Sequence, residues 1–193
     1  DPVVAALPVA RSGDRVRRPL GRRAGGSGAS VAGMDTSPKP ASAAVVAHHA
    51  HARETLPFHD VRDFEQARRG FLGGVDPCVV RDADGRVVWD NDSYAFVEGD
   101  APDTVHPSLW RQSILTSMQG LYEVVPGIYQ VRGLDLSNMT VVEGDTGVLV
   151  IDPLISTETA AAALALYREH RGDRPVTAVL YTHSHVDHFG GVR

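Results

Sequence analysis

The densest chemistry in the chain lies at Thr-His-Ser-His-Val-Asp-His, residues 182 to 188, where four potential metal ligands, His183, His185, Asp187 and His188, fall within six residues. His183 and His185 are two apart, so in an extended segment their imidazoles project to the same side and can share one ion. Asp187 and His188 follow as the chain turns. Histidine nitrogen with carboxylate oxygen suits zinc best, with iron or manganese also accommodated, because the loop offers neither thiolate nor an all-oxygen shell. Such a loop can serve two adjacent metals. A pair of ions about 3.5 to 4 Å apart can hold a bridging water, lower its pKa towards neutrality and polarise an ester oxygen. The implied chemistry is hydrolysis near neutral pH without a separate strong base. The Phe-Gly-Gly that follows puts small residues where backbone could come close to the ions.

The elements that must position this loop are readable upstream. Pro-Val-Thr-Ala-Val-Leu-Tyr-Thr, ending at Thr182, predicts a buried strand that delivers the loop at its carboxyl end, the usual place for ligand sites in layered α/β folds. Before it, Ser156 can cap an alanine-rich helix that Gly172 stops. From Leu121 to Ile151, four short β-branched runs separated by Pro126-Gly127, Asp135 to Ser137 and Asp145 to Gly147 predict an antiparallel meander. Asp152, closing the run Gly-Val-Leu-Val-Ile-Asp-Pro, reads equally as a strand-end turn former or as an acceptor that orients the metal loop from behind. Thr182 reads as a hydroxyl capping backbone or supporting the ligands beside it.

Further upstream, apolar Phe58, Val61, Phe64 and Ala67 recur at helical spacing up to Gly70, Asp84-Gly85 marks a turn into a short strand, and Pro107 opens a second helix. Trp89, Trp110 and the tyrosines are expected in the core. From Asp1 to about Thr55 the sequence is Gly, Ala, Ser, Pro and Arg without sustained periodicity, which predicts a disordered tail. Its His48, His49 and His51 resemble a metal tract but read as an adventitious weak binder. Met34, where the composition changes, is the expected natural start, with residues 1–33 not translated natively. The predicted organisation is a tail over 1–55, a helical extension over 56–120 and a metal-bearing domain over 121–193.

Composition narrows the function. Residues 1–33 carry six arginines against Asp1 and Asp14, net +4, so of the whole-chain charge of −5 the remaining residues hold −9. An acidic body argues against a nucleic-acid partner, whose binding rests on neutralising phosphates. No apolar run reaches the length of a membrane span, and the opening residues lack the order of a secretory signal. The single Cys78 excludes an intramolecular disulfide and suits a reducing, cytoplasmic setting.

At Thr-His-Ser-His-Val-Asp-His-Phe-Gly-Gly, with the strand into Ile-Asp-Pro upstream, the sequence resembles the metallo-β-lactamase superfamily. Together with Asp-Phe-Glu-Gln-Ala-Arg-Arg-Gly-Phe, Asp-Ala-Asp-Gly-Arg-Val-Val-Trp-Asp and Pro-Ser-Leu-Trp-Arg-Gln, the resemblance is to the linear alkyl sulfatases, and it runs from about Pro57 to Arg193. It implies an α/β fold of the metallo-β-lactamase type, an αββα sandwich of which the amino-terminal part is present. It further implies two zinc ions, one on His183 and His185 and the other on Asp187 and His188. The implied reaction is hydrolysis of alkyl sulfate esters such as dodecyl sulfate to alcohol and sulfate, in a homodimer. Ligands that complete such a site, glutamates and a histidine, lie beyond Arg193 in the family pattern, so this chain is expected to be an inactive, poorly stable amino-terminal fragment with exposed apolar surface beside its last strand. Another hydrolase of the superfamily, such as a thioesterase, lactonase or β-lactamase, and a non-catalytic metal-binding remnant are the alternatives. For an anionic alkyl sulfate, the acidic body leaves capture to the local field of the ions and to apolar contacts.

Overall fold

The β-branched runs after Met118 form β4 (Gly120–Val125), β5 (Ile128–Arg132), β6 (Met139–Glu143) and β7 (Val148–Ile151), each antiparallel to the one before it, as the turn residues between them predict. The computed structural model describes residues 37–193; residues 1–36, with the arginine-rich head and Met34, lie outside the described residues. β1 (Phe71–Gly73) adds to the β4 edge and β8 (Val176–Leu180) pairs in parallel with β7, giving a six-stranded sheet in the order β1-β4-β5-β6-β7-β8. A separate hairpin of β2 (Val79–Arg81) and β3 (Val87–Asp90) turns at Asp84-Gly85, where Gly85 takes φ +81°.

Alternation selects the core face. Tyr129 and Val131, Met139 and Val141, and Val148 and Val150 are buried at spacing two, so they share one face of the sheet. Against that face packs α4 (Thr157–Arg171), whose Ala160, Ala163 and Tyr167 recur at three- and four-residue spacing. Its start is fixed by a reciprocal capping box between Ser156 and Thr159, and Gly172 follows it at φ +87°. The resulting sheet-and-helix unit is the α/β fold expected from the sequence.

Four expectations need correction. The last strand is exposed along its whole length, not buried, because β8 hydrogen-bonds to β7 alone and no described element covers its faces. Val179, Leu180 and Tyr181 consequently face solvent, which is the apolar surface anticipated for that edge. Within the stretch assigned to a tail, Ala43–Thr55 forms α1, capped by Ser42 and anchored by burial of His49 and Ala52, so the His48, His49, His51 tract is helical. Alanine's high helix propensity substitutes there for a strong apolar stripe. Trp89 and Trp110 are half-buried, with their indole N–H groups donating to the carbonyls of Gly133 and of Glu98 and Gly99, and they line a surface groove instead of the core. The first predicted helix is shorter than its apolar spacing suggests, α2 covering Arg62–Arg68, while Pro107 opens α3 (Pro107–Thr116) as expected. Among the described residues, no helix is long and apolar enough to cross a membrane.

Glu143 ties β6 to α4. It accepts hydrogen bonds from the Tyr167 hydroxyl at 2.8 Å and from Arg171 Nε at 3.1 Å. The Arg171 bond, opposed by burial and helped by Tyr167, holds the Glu143 carboxyl below its ordinary range, while burial and the Glu143 bond push Tyr167 up to about 12. A depressed carboxyl stabilises the fold above its unfolded pKa and loses that contribution as pH falls through the folded one. Glu143→Gln is therefore expected to lower the thermal midpoint at neutral pH by about 2 to 4 °C, the equivalent of roughly one hydrogen bond. The difference from the native chain should shrink as the medium is acidified, which calorimetry across the acid range would read.

Candidate metal centre

The parallel pairing of β7 and β8 sets Ile151 beside Leu180, so the residues that follow, Asp152 and Thr182, meet at the carboxyl ends of both strands. The Asp152 backbone N–H donates to the Leu180 carbonyl at 2.9 Å. Its nearly buried carboxylate then receives the Thr182 N–H at 2.8 Å, the Thr182 hydroxyl at 2.7 Å and His188 Nδ1 at 2.9 Å. Burial would raise this carboxyl, but the Thr182 and His188 bonds outweigh it and hold it below the usual aspartate range. Asp152 and Leu154 both take left-handed backbone, φ +56° and +64°. Leu154 keeps that costly conformation because its side chain is fully buried and its carbonyl accepts the Gly191 N–H.

The loop turns through a single 3-10 turn at Val186–His188, which brings the His188 ring back to 4.0 Å from that of His183, closer than the 4.7 Å between the rings of His183 and His185. The four donors therefore form one cluster, with two short polar contacts inside it. His183 Nε2 lies 3.2 Å from His185 Nδ1, and Asp187 Oδ2 lies 3.3 Å from His188 Nε2. Among the described residues, no group of three or more His, Cys, Asp or Glu side chains is arranged to hold an ion.

Proton accounting tests whether the donor set suits a cation. The Thr182 hydroxyl gives its hydrogen to Asp152, so its oxygen accepts from His183 Nδ1–H and leaves a lone pair on His183 Nε2. His188 gives its Nδ1–H to Asp152, leaving a lone pair on Nε2 as well. That lone pair faces Asp187 Oδ2 and, at 3.3 Å, the Ser137 oxygen, whose own hydrogen goes to Asp187 at 2.9 Å. An imidazole nitrogen and a carboxylate oxygen thus face one another as neighbouring acceptors, and a backing carboxylate on a histidine's far nitrogen is the common support of a metal ligand. The residues fit a metal of the kind that nitrogen and oxygen donors take.

Comparison with known proteins places the chain beside a group of hydrolases. The pattern of the metallo-beta-lactamase superfamily matches residues 132–193. Over 156 residues the chain is 51% identical to an (R)-specific secondary-alkylsulfatase of Pseudomonas sp., and over 157 residues 53% identical to a linear primary-alkylsulfatase of Pseudomonas sp., each time across 80% of this chain and 23% of the relative. The chain is thus similar to alkyl sulfatases and carries the metallo-β-lactamase superfamily pattern over its last third. The solved structure of the stereoselective inverting sec-alkylsulfatase Pisa1 from Pseudomonas sp. superposes with a TM-score of 0.76 at 52% identity, covering 80% of this chain and 24% of that one. The chain thus spans about a quarter of the length of the alkyl sulfatases it matches. Similarity to them extends well upstream of the superfamily match, which begins only at Arg132.

Two features of this site add to the sequence reading. A Cβ on Gly190 would lie 2.0 Å from the Ile155 carbonyl oxygen, and one on Gly191 2.2 Å from that of Pro153, so the paired glycines let the loop close on the turn after β7. Ser137, buried in the β5–β6 connection and touching Asp187 and His188, went unnoticed because Asp-Leu-Ser-Asn between two strands carries only the signal of a turn.

Proposed function

We infer that this chain contributes the first part of a zinc-dependent alkyl sulfatase, which hydrolyses linear alkyl sulfate esters such as dodecyl sulfate to the alcohol and inorganic sulfate. The observation that carries the reading is identity above half to two alkyl sulfatases across 80% of the chain, beside a superfamily match whose residues 132–193 include the metal loop. His183 and His185 would hold one zinc and Asp187 and His188 the other, with Asp152 and Thr182 fixing His188 and His183 from behind. Zinc, when bound, lowers the pKa of a water and polarises an ester oxygen. The chain's own residues set the histidine tautomers and aim their free nitrogens. Four donors from one loop are fewer than the roughly three protein ligands each zinc takes in a catalytic site, so these 193 residues alone are expected to be inactive. The extension over 56–120 and the domain over 121–193 are proposed as the working divisions, in a homodimer by analogy with the family.

An apolar groove of about 700 Å³, with Tyr94, Phe96, Leu109, Trp110 and Leu136 in its wall, shares the β5–β6 loop with the candidate centre and offers the contact that an alkyl chain needs. Sulfate release from dodecyl sulfate tests the reading, using the zinc-loaded chain and the same chain extended beyond Arg193. Activity is expected in the extended protein, and His185→Ala should lower it at least about 100-fold, since losing a ligand exceeds the loss caused by removing an outer partner. Release unaffected by His185→Ala would overturn the ligand assignment, and none from the extended protein would move the function to another ester. In ¹⁸O-labelled water, label in the alcohol marks attack on carbon, as inversion implies for the solved sec-alkylsulfatase, and label in sulfate marks attack on sulfur.

A further inference from the structure

Ser137 sits fifty residues from the metal loop in sequence, yet its hydroxyl lies within hydrogen-bond reach of both members of the Asp187–His188 pair. We propose that Ser137 is a positioning residue that fixes the Asp187 carboxylate against His188 and so organises one of the two ion sites ahead of metal binding. The proposal rests on the reading of Asp187 and His188 as metal ligands. Its geometry is that of an outer support: a hydroxyl donor on the one carboxylate oxygen that faces His188, with its own oxygen turned toward the free imidazole nitrogen.

The support is itself anchored. The adjacent Asp135 is buried and its Oδ2 accepts the Thr159 hydroxyl at 2.6 Å and the Ile155 N–H at 3.0 Å, while its Oδ1 takes the Leu136 N–H. Thr159 belongs to the capping box of α4, so the loop bearing Ser137 is clamped to the start of the helix that packs on the sheet. His188 is meanwhile held from the opposite side by Asp152. Asp187 has no such second anchor among the described residues, and its only side-chain hydrogen-bond donor with an assigned direction is Ser137. A hydroxyl on a clamped loop can therefore set the rotamer of a carboxylate on an exposed turn. The Ser137 side chain has no hydrogen bond to His183 or His185, and His183, whose ring lies 4.0 Å from that of His188, is oriented through Thr182.

The test uses the chain with Ser137→Ala and Ser137→Thr, the second retaining the hydroxyl. Three-bond proton couplings at Asp187 in the metal-free protein read its rotamer directly. They should report one rotamer in the native chain, averaging in Ser137→Ala, and recovery in Ser137→Thr, with thermal melts confirming that each variant is folded. Competition for zinc against a chromophoric chelator should show uptake at the Asp187–His188 pair weakened about 10- to 100-fold in Ser137→Ala and restored in Ser137→Thr, with the His183–His185 pair unchanged. Imidazole nitrogen resonances identify which pair fills. A single Asp187 rotamer together with native zinc affinity in Ser137→Ala would overturn the proposal, and so would equal weakening of both pairs. Should Asp187 loosen in Ser137→Ala while even the native chain takes up no zinc, the positioning role is supported and the metal reading is what fails.

Discussion

Asp152→Ala is expected to destabilise the chain by about 3 kcal/mol and, with it, to lower zinc uptake about 10- to 100-fold. Three donors, the Thr182 N–H, the Thr182 hydroxyl and His188 Nδ1–H, converge on this one carboxylate, which is only 7% exposed. A buried donor left without a partner costs roughly 1 to 3 kcal/mol, and water reaching the open side of the loop offsets part of that. Alanine adds a backbone penalty of about 1 kcal/mol at φ +56°, a conformation that aspartate and asparagine tolerate better. Asp152→Asn should therefore recover the backbone part of the loss but not the bond to His188, since an amide meets three donors with one acceptor oxygen. Chemical denaturation separates the two variants. The acid response gives a second check. Because hydrogen bonds hold the Asp152 carboxyl below its ordinary range, its stabilisation is complete above the unfolded value near about 3.9 and disappears as pH falls through the folded one. Both variants should lose that part of the acid dependence, and a native-like acid slope in Asp152→Asn would sink the assignment.

What the sequence discloses depends on how far apart the cooperating residues lie. Ser156 and Gly172 around α4, Pro107 at the start of α3 and Asp84-Gly85 between β2 and β3 act within a few residues, and the structure has each where local chemistry puts it. The four candidate ligands are equally legible because they share one loop. Burial of β8 is not, since its apolar composition is that of a covered strand whereas burial depends on what packs against it. Helix α1 escapes because only His49 and Ala52 are buried on it, too few to impose a period. Ser137 and Asp135 escape for a third reason. Short polar residues between strands satisfy the rules for a turn, and their second use, toward Asp187 and toward Thr159, exists only once the sheet brings residues 24 to 50 apart into contact.

Gly191→Ala is expected to cost more than about 3 kcal/mol, at or beyond the upper end of what added atoms usually do in a packed interior. The new Cβ would stand 2.2 Å from the Pro153 carbonyl oxygen, 2.5 Å from that of Ser156 and 2.6 Å from the Ala160 Cβ. None of these is the far end of a flexible side chain. Pro153 follows the hydrogen-bonded Asp152, Ser156 caps α4, and Ala160 lies inside that helix, so relief must come from moving the loop itself. Gly191 also donates its N–H to the Leu154 carbonyl, which helps to hold Leu154 in left-handed backbone, and a displaced loop forfeits that bond. Since His188 is only three residues away, the same displacement should pull its imidazole off Asp152, coupling a loss of stability to a loss of zinc uptake. Gly144→Ala is the control: its Cβ would meet only the Gly147 carbonyl oxygen, at an ordinary 3.5 Å, and its backbone conformation suits any residue. Thermal melts should place Gly144→Ala close to the native chain and Gly191→Ala far below it. Equal midpoints would mean that the loop moves freely relative to the turn after β7, and the strand-end turn could then not be what holds the metal ligands in place.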